Sequence, residues 1–390
     1  MRFLAAIAAV PFLFTFPASA AAYYVATNGN DGARGSVEAP FRTITRASSV
    51  VKPGDVVNVR GGTYSEAVRI SAEGTAAARI IVRAMPGEAV ILDGRRHPAS
   101  RPVVELRRTA YVELSGFEVR NSPYIGIVVW HARHTRVLDN HVHHTRRNGI
   151  YVGGDALRSN ADITVARNRV HDTVLENRRH NMRRGGWAGA IVVSKTERAT
   201  IADNRVWNND GEGVISRLSD HAVIRNNEIF DNFSAYLYLD NARFVTADRN
   251  RLYSTGNKRY FRDGKPAAGI AVANETNPQL NRSSDNVFTN NVVTGTRWGF
   301  YYGNYESGGG LRNTKVANNT FSATTDEIIR IEDDSHANSV VEQNTFRQTR
   351  SPAVRYSGAG GVTFRNNTWY GSAGAAAGRG DIVHDPRPSR

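Results

Sequence analysis

The motif Asn-x-apolar recurs at Asn140, Asn168, Asn204, Asn227, Asn250, Asn291, Asn319, Asn344 and Asn367, and Asn204, Asn227 and Asn250 stand 23 residues apart. A period of this length marks a solenoid, in which one repeat cannot bury its apolar face alone and must stack on its neighbours. Within the repeats apolar residues alternate in short stretches, such as Gly213 to Ser216 and Ala222 to Arg225, and no helical period fills the remainder. The repeat is therefore a coil of short strands. Each motif Asn is expected at a turn, bonding to its equivalents in the coils above and below as a structural ladder.

The bulk properties narrow the setting. Residues 1 to 20 run from Arg2 through an apolar stretch to Phe16 and close on Ala18, Ser19 and Ala20, the form of a cleavable signal peptide. That reading implies a secreted or periplasmic protein without a membrane anchor. There is no cysteine, which excludes a disulfide framework and thiolate metal sites. A net charge of +14 points to an acidic partner, and export makes an acidic polysaccharide the expected one rather than nucleic acid. The chain is expected to act as a monomer, with the Gly- and Ala-rich residues 371 to 390 as a flexible tail.

Laying the repeats in register gives one face with a consistent alternation. Ile127 and Val129, Ile150 and Val152, Ile191 and Val193, Leu237 and Leu239, Ile270 and Val272, and Ile329 and Ile331 point inward. Trp130, Tyr151, Ser194, Arg217, Tyr238, Asp240, Tyr301, Arg330 and Glu332 point outward. Extra residues fall only beside this strand, before it at 174–187 and 254–267, or after it at 153–161, 275–284 and 304–311. Long loops on a rigid scaffold carry function, and here they would wall a groove suited to a linear chain.

The segments Tyr23 to Ala26, Ala39 to Ile44, Pro53 to Asp55, Gly61 to Tyr64, and Pro86 to Glu88 leading to Asp93 and Gly94 resemble the N-terminal part of secreted parallel β-helix proteins with a pectin-lyase-like fold. The resemblance implies an all-β chain: a single right-handed parallel β-helix solenoid of about ten coils over residues 21 to 370. Arg42 to Val51 would be its N-terminal capping helix, covering an otherwise open strand edge. Ala190 to Lys195, followed one coil later by Ser216 to His221, looks like the Lys and Arg segments of the alginate lyase and chondroitinase B family. That likeness implies Lys195 as proton-abstracting base and Arg217 as its assistant. The family's two calcium-binding Glu residues are replaced here by Ala188 and Ala190, which puts calcium at that position in doubt, and no cofactor is otherwise expected.

β-Elimination on a polyuronate needs neutralisation of the C6 carboxylate, a base for the C5 proton and a proton for the leaving O4. Arg217, with Arg183 and Arg184 in a flanking loop, suits the carboxylate through its bidentate fork. A guanidinium one coil from Lys195 would favour its neutral form. Tyr238 is the expected proton donor. Trp187 and Tyr301 are expected sugar platforms, and His180, Asp240, Asn241 and Glu275 further substrate contacts. The competing structural reading makes Lys195 a solvated turn lysine and Arg217 a ladder partner of Asp240.

The histidines at 131, 134, 141, 143, 144 and 171 suggest a metal site at first sight. However, His143 and His171 share a coil position later taken by Trp207, Phe230 and Tyr253, which a stack of flat side chains explains without metal. Three alternatives to a lyase stay open: a glycoside hydrolase using Asp240 and Glu275, a C5-epimerase with a similar base and clamp, and a non-catalytic polysaccharide-binding β-helix.

Overall fold

The computed structural model describes residues 20–180, 188–275, 282–305, 308–332, 334–348, 353–356, 360–371, 373 and 376–384. Short strands recur in every coil and pair only with the same strand of adjacent coils, so three parallel sheets run the length of a β-helix. The first sheet has 13 strands from Ala22–Val25 to Val362–Arg365, the second 11 from Val68–Ile70 to Val354–Tyr356, and the third 13 from Gly62–Tyr64 to Ile382–His384. One coil reads Val223–Arg225 in the first sheet, Glu228–Asn232 in the third and Leu237–Asp240 in the second, before returning to the first at Thr246–Asp248.

The turn between first and third sheets follows directly from the repeat. The residue before each motif Asn, such as Asp203, Asn226 or Arg249, takes a left-handed conformation (φ 59°, 55° and 52°) that reverses the chain within two residues. The following Asn is buried. Asn227 Oδ1 accepts from the backbone N–H of Asn204 at 3.0 Å and from its Nδ2 at 3.0 Å, while Asn227 Nδ2 donates to the Ile201 carbonyl at 2.9 Å. The same bonds run from Asn140 through Asn344 to Asn367. Each buried amide is thereby satisfied, where an unpaired one would cost about 1–3 kcal/mol.

Inward side chains from all three sheets form one core, and the inward set expected on the second sheet, Ile127 through Ile331, is completely buried. The corner between third and second sheets is tight: a Cβ on Gly213 would lie 2.4 Å from the Tyr236 carbonyl oxygen. The third sheet's outer face carries the expected aromatic column, with His143 paired to His171, His171 to Trp207, Trp207 to Phe230 and Phe230 to Tyr253. Ring centroids along it are 5.2, 4.3, 6.0 and 4.8 Å apart.

Two elements differ from expectation. The N-terminal helix is two residues shorter at its start and three at its end, Ile44–Ser48: Thr43 caps Arg46 N, and the turn at Ser49 leads into Pro53 and Gly54. Its Ile44 and Ala47 join the core. The tail expected to be flexible contains Ile382–His384, which adds to the third sheet beside Thr368–Tyr370. Asp381 anchors it by accepting from Asn367 N at 2.8 Å and Trp369 Nε1 at 2.7 Å, so polar bonds compensate for the weak local propensity of Gly and Ala.

Candidate active site

The second sheet positions the site because its outward side chains stack at strand spacing while insertions flank it. One outward row runs Val192, Ile215, Tyr238, Ala271 and Tyr301, and the next runs Ser194, Arg217, Asp240 and Ala273. The first row is not open to solvent. Val192, Ile215, Tyr238, Ala271 and Tyr301 form a small buried apolar layer with Ala235, Ala268 and Ala273, flanked by Tyr151 and Trp298.

A polar constellation lies over this layer. Arg217 pairs with Asp240, Nε to Oδ2 3.2 Å, with the arginine half exposed and the carboxylate buried. The other Asp240 oxygen accepts from Glu275 N at 2.9 Å, which turns the loop after Ile270–Ala273 back over the strand. The Glu275 carboxylate then accepts from Tyr238 Oη at 2.6 Å. Burial, then the charges of Glu275, Asp240 and Glu212, push the Tyr238 phenol well above its ordinary range. It keeps its proton at neutral pH and can serve as a donor. Burial and Asp240 also raise the Glu275 carboxyl, against the Tyr238 bond and the charges of Arg217 and Arg262.

Further along, Tyr301 stacks on Trp298 at 4.6 Å and its hydroxyl lies 3.2 Å from Glu332 Oε1 and 3.5 Å from the Tyr305 hydroxyl. Burial, Tyr305 and Glu332 raise the Tyr301 phenol. Arg297 and Arg330 sit over the Trp298 ring at 4.3 and 5.1 Å, and Tyr305 stays exposed. The ring faces of Trp298 are thus covered by Tyr301 and the two arginines, and Tyr301, expected as a sugar platform, is buried.

Lys195 leaves the strand. It has φ 51°, follows the end of Gly189–Ser194, and its Nζ donates to the Asp155 carbonyl at 2.8 Å. Ser194, not Lys195, pairs with Arg217, although Lys195 N donates to the Arg217 carbonyl at 3.0 Å. The Lys195 and Arg217 side chains thus hold different partners. His180 belongs to another group: Nε2 lies 2.9 Å from Asp210 Oδ1, the ring stacks on Phe233 at 4.1 Å, and Arg259 bonds the same carboxylate at 2.8 Å. Burial raises the Asp210 carboxyl despite the His180 bond and the Arg259 charge. Asn241 is fully buried at φ 52°, donating its N–H to the Ala273 carbonyl at 3.1 Å. Arg183, Arg184 and Trp187 lie outside the described residues. Ala188 and Ala190 are buried and apolar, so the position where the resemblance would put two calcium-binding carboxylates does not fit that ion.

The Glu275 to Tyr238 bond and the Asp210, His180 and Arg259 group were not foreseen as contacts. Only the insertion after Ala273 and the Asn209-Asp210-Gly211 break signalled them.

A family model, Pel9A-like right-handed β-helix region, matches residues 23–338. The chain belongs to the Pel9A-like right-handed β-helix family. Pectate lyase PEL9 of Emericella nidulans is 34% identical over 128 residues, 29% of this chain and 31% of that protein. The uncharacterized protein YwoF of Bacillus subtilis is 26% identical over 203 residues, 49% of this chain and 42% of that one. The chain thus spans less than half the length of these relatives. Among solved structures, a mannuronic acid specific polysaccharide family 6 lyase from human gut microbiota superposes with TM-score 0.60 at 14% identity, covering 94% of this chain and 92% of its own. Pectate lyase Pel9A gives 0.52 at 19% identity over 92% and 81%. A lacto-N-biosidase from Eubacterium ramulus gives 0.56 at 13% identity over 89% and 67%, so the fold is one that lyases share with a glycoside hydrolase. Among the described residues no helix is long and apolar enough to cross a membrane.

Proposed function

We propose that the protein is an exported polysaccharide lyase that cleaves an acidic, uronate-containing chain by β-elimination, with residues 1 to 20 as its export signal. The observation that carries this is the Pel9A-like match across residues 23–338, joined by the pectate lyase relative. The second sheet supplies cationic and proton-bearing groups consistent with it. Arg217, half exposed beside Asp240, would take the substrate carboxylate in place of Asp240 and stabilise the charge that develops there. Lys195 would remove the C5 proton. Those electrons form the C4–C5 double bond, the C4–O bond breaks, and the departing O4 takes a proton. Tyr238, its phenol raised, carries one that it shares with Glu275.

A second reading rests on one observation. Glu275, its carboxyl raised by burial and by Asp240, lies beside Asp240, whose carboxylate accepts from the Glu275 backbone N–H, and a pair of carboxyl groups is what acid-base hydrolysis of a glycoside requires. Incubation of the mature protein with polygalacturonate, alginate, glucuronan and chondroitin, with calcium and with chelator, separates the readings. Ultraviolet absorbance of an unsaturated uronate, lost in Lys195→Ala and Arg217→Ala, is the expected result. New reducing ends without that absorbance, lost in Asp240→Asn or Glu275→Gln, would replace the lyase reading with the hydrolase.

A further inference from the structure

The histidine column on the third sheet contains more than a stack. His141 and His143 are two residues apart on the strand His141–Thr145, so both project outward, and strand pairing sets Glu118 beside His141 and His171 beside His143. Four possible ligands from three successive coils therefore occupy one small patch. One ligand atom each from Glu118, His141 and His143 lies within 4.8 Å of the others. His143 Nε2 is 3.4 Å from Glu118 Oε1, and His141 Nε2 is 2.7 Å from His171 Nε2.

Stacking accounts for His143, His171 and Trp207, but not for His141, whose ring is tilted by 39° to His143 and 35° to His171 and whose nitrogen points at its neighbour's. Two imidazole nitrogens so close must share a proton or a cation. Tetrahedral ligands at about 2.0–2.1 Å from a metal stand roughly 3.3 Å apart. The Glu118 to His143 edge already has that length. The surrounding bonds suit metal ligation as well. His171 Nδ1 bonds Asp172 Oδ2 at 2.6 Å, which leaves its Nε2 to accept, the usual outer support of a metal-bound imidazole. The groups facing the patch are mixed in charge: Arg120 Nη1 bonds Glu118 Oε1 at 2.8 Å, and His144 Nδ1 lies 2.6 Å from His143 Nδ1.

We propose that Glu118, His141 and His143 bind a divalent transition metal ion such as zinc, tying two adjacent coils together on the third sheet, with His171 bonded to His141 beside them. Imidazole and carboxylate donors suit zinc, whereas calcium takes an all-oxygen shell. The proposal is independent of the lyase reading, and its readouts involve no turnover. The test is calorimetric titration of tag-free, chelator-stripped full-length protein with zinc chloride, repeated with cobalt(II) while recording its visible absorption. The expected result is saturable one-to-one binding, an intense tetrahedral cobalt spectrum, and a higher thermal midpoint with zinc, because a ligand bound only by the folded state stabilises it. His141→Ala and His143→Ala, shown folded by circular dichroism, should each weaken binding at least about tenfold, while His131→Ala leaves it unchanged. His141→Gln provides a second, milder variant should the alanine forms fail to fold. Absence of binding by the wild type, or unchanged affinity in the folded His141 and His143 variants, overturns the proposal.

Discussion

The turn at the motif Asn and the two turns flanking the second sheet belong to the same coils but are built on opposite rules. At the Asn turn, from Asn140 to Asn367, each coil repeats a left-handed residue, the Asn and the same bonds, as from Asn204 to Asn227 and on to Asn250. Around the second sheet the partners change with each coil: Arg217 meets Asp240, Tyr238 meets Glu275, and Tyr301 meets Glu332. A repeated contact can only stabilise stacking, because it is alike at every level. Side chains that differ from coil to coil make one place on the rod unlike the others, which a site of chemistry requires.

This contrast is best broken by substitutions that move activity and stability separately. Lys195→Ala should reduce turnover on polygalacturonate by about 10²–10⁴-fold with an unchanged urea midpoint. Activity within a fewfold of wild type would remove Lys195 from the base role. Asn227→Ala should do the reverse. Leaving the Asn204 N–H and the Ile201 carbonyl without their partner costs about 1–3 kcal/mol per group, read in the urea midpoint, with specific activity of the folded fraction retained. If activity fell and stability did not, the ladder would be more than structural.

Tyr238→Phe should lower turnover by about tenfold, the scale of one hydrogen bond, and leave substrate affinity unchanged, as a kcat and KM measurement would reveal. Glu342 gives a pH-dependent comparison far from the second sheet. Lys315 at 2.7 Å, and after it Arg365 at 2.8 Å, hold its carboxyl below the usual range against partial burial. Its contribution to stability is present above the unfolded value of about 4.3 and is lost as pH falls through the lower folded value. Urea midpoints taken from neutral to acid pH should therefore fall less steeply in Glu342→Gln, and an identical slope would contradict the assignment. The smallest effect is expected at Arg167, whose exposed pair with Asp139 sits on the turn itself. Arg167→Ala should cost no more than about 1 kcal/mol despite two 2.7 Å bonds.

Much of the fold was legible because strand pairing turns sequence spacing into spatial contact. Asn204 and Asn227, or His171 and Trp207, could be matched from spacing alone, and both sit side by side. The site was legible only in part. Arg217 and Asp240 share a register position and were readable as partners, whereas Lys195 was expected to join them and instead turns into a left-handed conformation just beyond the strand. Glu275 reaches Tyr238 through a loop whose path no repeat specifies. The buried apolar layer over the strand likewise gave no sign in an alternation that marks Tyr238 and Tyr301 simply as outward.

The sequence by itself determined the coil, its register, the inward core and the Asn ladder, since each depends on contacts between equivalent positions one repeat apart, where pairing leaves no freedom. Tertiary structure decided which loop side chains close over the second sheet and which nitrogens meet on the third. Those contacts join non-equivalent positions, and burial, charge and the course of the insertions select them only once the coils have stacked.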